Sequence, residues 1–425
     1  MAIEITQPHT VELTGNPISV PVKTDTEGVS FHYLHLEIYE PDGTTLIAEA
    51  KLPALPSDDI FSGGESGAIF DISEYLKREQ RNHYTHNKPY SFIIEAYPLL
   101  AYRLSAYETY NNDGQKHNQT PVYSQKYALQ GGISQKLFNQ YRELETHFYE
   151  RWIQTRKFLT WQQDEVITHR NGYDRLYLCA ISGTALKLKV KLYFDDSTEH
   201  EFIKQSRPIS AWRIYEIITS FKLLDLEDFE TSSKKITHYD IWLEDENYAV
   251  VSETFRYTLD EKYYHDTKDF LFKNSFGVFE YVRFTGIYEL NQDFDFELVR
   301  TEIRKKHNVS ANDLISANSG FLENREVIRL KELYFSTEAY EIRGIHIHGI
   351  VITSAKRNVE KKKVFLYSAE IEYYLDEEEE YYAELLEEYH GMDQTIFMIV
   401  DDEENDTPFL IIDDQGQEDY FYIIE

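Results

Sequence analysis

Two histidine pairs are the first candidates for chemistry. His83 and His86 stand three apart, and His346 and His348 alternate in a strand-like run that would set both on one side, as zinc ligands can be. Neither pair has a third ligand at recognisable spacing, so no metal residue is assigned. Acids are far more abundant: with 75 Asp and Glu in 425 residues, carboxylate pairs about 5–9 Å apart, as glycoside hydrolysis needs, arise by chance and single out nothing. The runs Asp401-Asp402-Glu403-Glu404-Asn405-Asp406 and Asp413-Asp414-Gln415-Gly416 carry oxygen ligands of the kind calcium takes, but the central Gly and closing Glu of an EF-hand are missing. Solvated turns between strands are the simpler reading there. Cys179, the single cysteine, cannot form an internal bridge and lies in a strand-like run, which reads as a buried thiol rather than a nucleophile. A glycine-rich phosphate loop and a Gly-x-Ser-x-Gly elbow are both absent. The sequence therefore assigns no catalytic residue and no cofactor-binding residue, and the expectation is a protein that is not an enzyme.

Charge narrows the partners. The chain holds 43 Lys and Arg, for a net charge of −32, and such a field repels nucleic-acid phosphates and anionic lipid heads. Apolar runs stay well short of the roughly 20 residues that span a bilayer, and the N-terminus lacks a basic stretch followed by an apolar core. Neither nucleic-acid binding nor membrane insertion is expected, and a soluble chain is. Residues 366–425 hold 21 of the acids and no Lys or Arg, leaving −11 for the first 365 residues. Lys356, Arg357, Lys361, Lys362 and Lys363 form a basic knot just before that segment, onto which it could dock, although two separately solvated charge runs are the plainer reading.

The elements that would position any site are mostly strands. With 42% hydrophobic and 15% aromatic residues, including 34 Tyr, the chain can bury real cores. Tyr suits sheet packing, and equally sugar stacking or a protein interface. Period-two alternation at Val11–Leu13, Ile18–Val22, Tyr33–Tyr39, Ser91–Tyr97 and Val122–Ser124, with a Pro41-Asp42-Gly43 turn, predicts an N-terminal β-sandwich over residues 1–130. Its polar loop Asn111-Asn112-Asp113-Gly114 could carry specificity. Gly131-Gly132 then breaks the chain, and Leu137, Tyr141, Leu144, Phe148 and Ile153 predict a helix over 134–154 within a linker, 131–157. A second β-sandwich is expected over 158–262, opening at Phe158–Trp161 and including Leu176–Leu178, Leu186–Phe194, Tyr239–Leu243 and Phe255–Leu259. A mixed, mostly β domain follows over 263–365, with strands at Val282–Gly286 and Ile342–Ile352 and a helix after Asn324. In the acidic C-terminal extension, 366–425, a short helix is read at Asp376–Tyr389 and strands at Thr395–Val400, Phe409–Ile412 and Tyr420–Ile424, so the segment reads as ordered.

Several segments, in order along about 350 residues, resemble structural proteins from the tail modules of Bacteroidetes phages and prophages, a poorly characterised group. Leu13-Thr14-Gly15-Asn16-Pro17-Ile18 resembles the group's opening turn into a strand, and Phe70-Asp71-Ile72-Ser73 its Phe-Asp-Ile-Ser segment. Gly131-Gly132-Ile133 and Phe158-Leu159-Thr160-Trp161-Gln162 follow, then Asn274-Ser275-Phe276-Gly277-Val278-Phe279-Glu280 closed by Thr285-Gly286. Ser319-Gly320-Phe321-Leu322, Leu333-Tyr334-Phe335-Ser336 and Ile350-Val351-Ile352-Thr353-Ser354 resemble its last domain. The acidic extension has no counterpart. The resemblance implies a virion protein of the tail, baseplate or connector region, made in the host cytoplasm and assembling with itself and other tail subunits. It supplies no catalytic residue. A receptor- or glycan-binding adhesin of a phage, or of a phage-tail-like injection system, is the alternative.

Overall fold

The computed structural model describes residues 3–375, apart from 27, 56–65, 81–90, 113, 266, 301–303, 323, 345 and 362–364, together with 409–412 and 418–421. The fold is mostly β, with 50% of residues in strands and 11% helical, arranged as consecutive, largely antiparallel sheets with few helices. The expected fold class, β-sandwich-like domains with a linking helix and a mixed C-terminal region, is what the chain adopts.

The N-terminal part runs through β1 (Ile3–Ile5), β2 (Val11–Leu13), β3 (Ser19–Thr24), β4 (Tyr33–Tyr39), β5 (Leu46–Pro53), β6 (Ser66–Asp71), α1 (Ser73–Glu79), β7 (Ile93–Pro98), β8 (Leu100–Thr109) and β9 (Lys126–Leu129). A sheet in the order β1-β3-β6 and one in the order β2-β9-β8-β4-β5 share a core of Val20, Val22, Leu34, Leu36, Phe70, Tyr102 and Leu104. The Asp42 carboxylate accepts hydrogen bonds from the Thr44 and Thr45 backbone N–H groups, both at 2.9 Å, in the turn joining β4 to β5. Two expectations fail here. Val122–Ser124 forms no strand, although the Tyr123 N–H donates to Leu104 O at 2.9 Å. β7 leaves the first sandwich and pairs antiparallel with β14 (Arg213–Ile218) of the second.

The linker also departs from one continuous helix. Ser134 caps α2 (Gln135–Glu143) by accepting from the Leu137 N–H at 3.3 Å. Glu145 takes φ +50°, a left-handed conformation that stops the α-helix, and a π-helical turn follows at Tyr149–Ile153. Phe158–Trp161, expected to open the second sandwich as a strand, crosses as an irregular segment.

The second sandwich contains β10 (Glu165–Thr168), β11 (Arg175–Ala180), β12 (Thr184–Phe194), β13 (Glu199–Ile209), β14 (Arg213–Ile218), β15 (Ile236–Glu244) and β16 (Phe255–Leu259). Its sheets run β10-β16-β15-β12-β13 and β11-β14-β7. In β12, Leu186, Leu188, Val190 and Leu192 are buried while the intervening lysines lie at the surface, so the period-two pattern becomes one wall of the core.

The third unit comprises β17 (Lys268–Lys273), β18 (Phe279–Phe284), β19 (Tyr288–Arg300), β20 (Arg304–Asn318), α3 (Asn324–Arg329), α4 (Lys331–Phe335), β21 (Ala339–Arg343), β22 (His346–Lys361) and β23 (Phe365–Leu375). Seven strands form one sheet in the order β18-β17-β21-β22-β23-β20-β19. Leu330 and Leu333 of the helical region join a core with Phe270, Phe272, Ile315, Ile350, Ile371 and Tyr373. The expected run Ile342–Ile352 is two strands of a hairpin that turns at Gly344, φ +58°. The boundary drawn at residue 365 cuts through β23, which lies between β22 and β20, so the first residues of the acidic extension belong to this sheet. β24 (Phe409–Ile412) pairs antiparallel with β25 (Glu418–Phe421). Asp376–Tyr389 and Thr395–Val400 lie outside the described residues.

Candidate functional site

Four of the segments that carry the resemblance, at residues 13–18, 131–133, 158–162 and 274–280, meet at one junction of the three β units, whereas Phe70–Ser73, Leu333–Ser336 and Ile350–Ser354 belong to the cores of the first and third units. Asn16 clamps the linker with both ends of its amide: Oδ1 accepts from the Ile133 N–H at 2.7 Å, and Nδ2 donates to Ile133 O at 2.8 Å. The Gly15 N–H donates to Gly131 O at 2.6 Å, and the Gly132 N–H to Ser275 O at 2.6 Å, so backbone from the first unit, the linker and the third unit lies in direct contact. Side chains have no room there. A Cβ on Gly131, φ +139°, would lie 2.3 Å from Ser275 O, and one on Gly277, φ +75°, would lie 2.1 Å from Gln130 O.

Asn274 organises the third unit's side. Its Oδ1 accepts from the Phe276 N–H at 2.9 Å and the Val278 N–H at 3.3 Å, while Nδ2 donates to Leu159 O at 2.9 Å and Glu280 Oε1 at 2.7 Å. The turn presents Phe276, fully buried, with ring centroids 4.6 Å from Trp161, 5.1 Å from Trp152 and 5.6 Å from Phe148. Trp161 Nε1 donates to Ser275 Oγ at 2.6 Å, and the Tyr97 hydroxyl, from β7, donates to Gly277 O at 2.9 Å. The polar atoms of Asn16, Asn274, Ser275 and Trp161 are thus matched inside an aromatic core, while Gln130 Oε1 is buried without a partner.

Beside it opens a cavity of about 310 Å³ between the first sandwich and α2, lined in part by Leu13, Ile133, Phe138, Tyr141, Arg142 and Phe148. At its edge the His9 and His147 rings stack with centroids 3.7 Å apart and planes within 4°. The Tyr149 N–H donates to His147 Nδ1 at 3.1 Å and His147 Nε2 lies 2.9 Å from Glu12 Oε2, an arrangement that fits the neutral imidazole protonated on Nε2. Burial, with His147 adding to it, lowers the pKa of His9.

A second contact between units uses the turn after β10. The Tyr173 hydroxyl donates to Gly344 O at 3.0 Å, and Arg283, held by Asp269 at 2.6 and 2.7 Å, reaches Asn171 O at 3.3 Å. Asp174 is buried behind it and accepts from the Thr168 hydroxyl; burial pushes its carboxyl up to about 6 against the opposing effects of Thr168, Arg329 and Arg283. No spacing rule singled out Asp174. The polar run His169-Arg170-Asn171-Gly172 ahead of it was the available signal of a turn.

One further cluster has the form of a proton relay. His35 Nδ1 lies 2.6 Å from Glu49 Oε1 and Nε2 lies 3.1 Å from Thr109 Oγ1. It is a cross-strand ladder over β5, β4 and β8, and its carboxylate also accepts the Tyr107 hydroxyl at 2.7 Å, which makes Glu49 the hub of a sheet-stabilising network.

Of the other candidates, Cys179 packs into the same core as Phe148, Phe276 and Val278 of the junction. Cys179 is buried on β11, and desolvation pushes its thiol up to about 12, far from a reactive thiolate. His346 and His348 have ring centroids 6.2 Å apart, and among the described residues no group of three His, Cys, Asp or Glu could hold a metal ion. His83, His86, Asp401–Asp406 and Asp413–Gly416 lie outside the described residues. Asn111 and Asn112 do take left-handed conformations, φ +54° and +56°, in the polar loop, where Tyr110 stacks on His117 at 4.1 Å. Among the described residues no helix is long and apolar enough to cross a membrane. No protein-family model matches the chain, and no curated protein matches it significantly.

Proposed function

We propose that the chain is a non-enzymatic structural subunit of a phage tail, baseplate or connector region, located in the virion and assembling with further copies and other tail proteins. One observation carries this reading. Residues from four of the segments on which the resemblance rests, Gly15, Asn16, Gly131, Gly132, Trp161, Asn274, Phe276 and Gly277, converge on a junction that joins three β units through backbone hydrogen bonds and an aromatic plug. Their chemistry is that of turns and close packing, which suits a part that must hold shape under load. Nothing in that cluster is a nucleophile set against a base. The test is to purify native particles and ask whether the chain is a stoichiometric component. Retention through particle purification supports the reading, whereas turnover of a cell-wall or polysaccharide substrate, abolished by a single Asp or Glu substitution, would replace it with an envelope-degrading enzyme. A glycan array that returns a specific sugar would favour the adhesin.

A further inference from the structure

The seven-stranded sheet ends in two hairpins that outrun it in opposite directions. β20 pairs with β23 only over Leu314–Asn318, with Leu314 opposite Tyr374 and Asn318 opposite Glu370. β19 and β20 nevertheless remain paired with each other out to Arg300 opposite Arg304. From Asp313 to Arg304 the hairpin is thus a two-stranded arm of about 30 Å at roughly 3.3 Å per residue, with no third strand on either edge among the described residues. Past Glu370, on the other side, β22 and β23 continue as a pair from Arg357 opposite Ala369 to Lys361 opposite Phe365, with Leu322 bridged to Tyr367 on the outer edge of β23. Since β20 and β23 are antiparallel, the two turns lie at opposite ends of the sheet.

An isolated two-stranded ribbon is marginal in water, and an unpaired strand edge invites another chain. Ile315 and Ala317 of β20 are buried in the core, and the backbone pairing of β19 with β20 runs on from them past Phe294 opposite Ala311, with one register shift between Asp295 and Glu297. The sequence places Arg300, Arg304, Lys305 and Lys306 at the far end of one arm, Lys356 at the base of the other opposite Glu370, and Arg357 and Lys361 along it, in a chain whose net charge is −32. A further copy of this chain is therefore an anionic surface complementary to both ends.

We propose that these hairpin ends are the contacts by which one copy docks on the acidic residues of the next. This rests on the structural-subunit reading and names its partner. Two different basic ends on opposite sides of one sheet make the contact head-to-tail rather than two-fold, so it propagates to a ring or a filament.

Sedimentation velocity of the full chain over a concentration series, at low and at 300 mM salt, tests this, using Arg304→Glu/Lys305→Glu/Lys306→Glu and Lys356→Glu/Arg357→Glu/Lys361→Glu. An unchanged melting temperature verifies that both triples keep the fold. The expected result is concentration-dependent oligomers of the wild type that weaken at least about tenfold at high salt, and a loss of at least about tenfold in each triple at low salt. Oligomers equally strong in wild type and both triples would overturn the docking sites while leaving the structural subunit intact. A wild type that stays monomeric, whether inert or binding heparin or duplex DNA through the same residues, would also overturn the proposal, and retention of the chain in native particles would then preserve the broader reading by itself.

Discussion

Gly277 and Asn16 show how much of the junction depends on single residues. Gly277 has both a left-handed φ and no space for a Cβ beside Gln130 O, so Gly277→Ala is expected to cost about 2–4 kcal/mol. Asn16→Ala leaves the Ile133 N–H and C=O without their side-chain partner, with an expected loss of about 2–3 kcal/mol. Chemical denaturation checks both, and a loss under 0.5 kcal/mol for either would mean that the junction relaxes around them. Asp174 gives a pH-dependent prediction. Its folded pKa of about 6 lies above the unfolded value of about 3.9, so the protonated form is favoured in the fold. That favourable state holds below pH 4 and is lost as the pH rises through 6, a swing of about 3 kcal/mol. Asp174→Asn should therefore be more stable than wild type at pH 7.5, with the difference disappearing toward pH 4. A difference independent of pH would contradict the assignment.

At the scale of elements, alternation was legible wherever one face of a strand meets a core. Leu186–Phe194 matches β12 (Thr184–Phe194), and Tyr239–Leu243 lies within β15 (Ile236–Glu244). What alternation does not encode is the partner. β7 looks like any strand of the first sandwich, but its edge is completed by Arg213–Ile217, more than 100 residues later. The linker's apolar spacing likewise continues through Leu144, and only the left-handed Glu145 ends the helix. From the sequence the arm is assigned no strand, although Asp293, Asp295 and Glu297 alternate with Phe294 and Phe296 at the period of a strand. Of the junction, the sequence revealed the glycines and asparagines as turn residues but not their meeting place, which only the pairing of distant backbones creates. Amide exchange tests the arm as an element: in the free chain, amides of 293–300 and 304–312 should exchange at least about hundredfold faster than those of Phe270–Phe272, and slow down on assembly. Equal protection in the free chain would mean that the arm is already covered.

For the whole molecule, charge and shape act together. The chain is strongly acidic, with −21 of its −32 charge in residues 366–425; β22 carries part of the basic knot, and Lys356 already pairs with Glu372 within the sheet at 3.6 Å. Lys362 and Lys363 lie outside the described residues. Docking of the acidic extension onto the knot of its own chain would compete with docking between copies, and exposed pairs worth about 0–1 kcal/mol each can select a register only collectively. Three sandwich-like units locked at one junction form a single building block, and its purpose on this account is placement in a tail. The most direct measurement is electron microscopy of native particles with the chain labelled near its N-terminus. The account predicts a label at one defined level of the tail, repeated with its rotational symmetry; purified particles without label, with the chain left behind as a free protein, would contradict it.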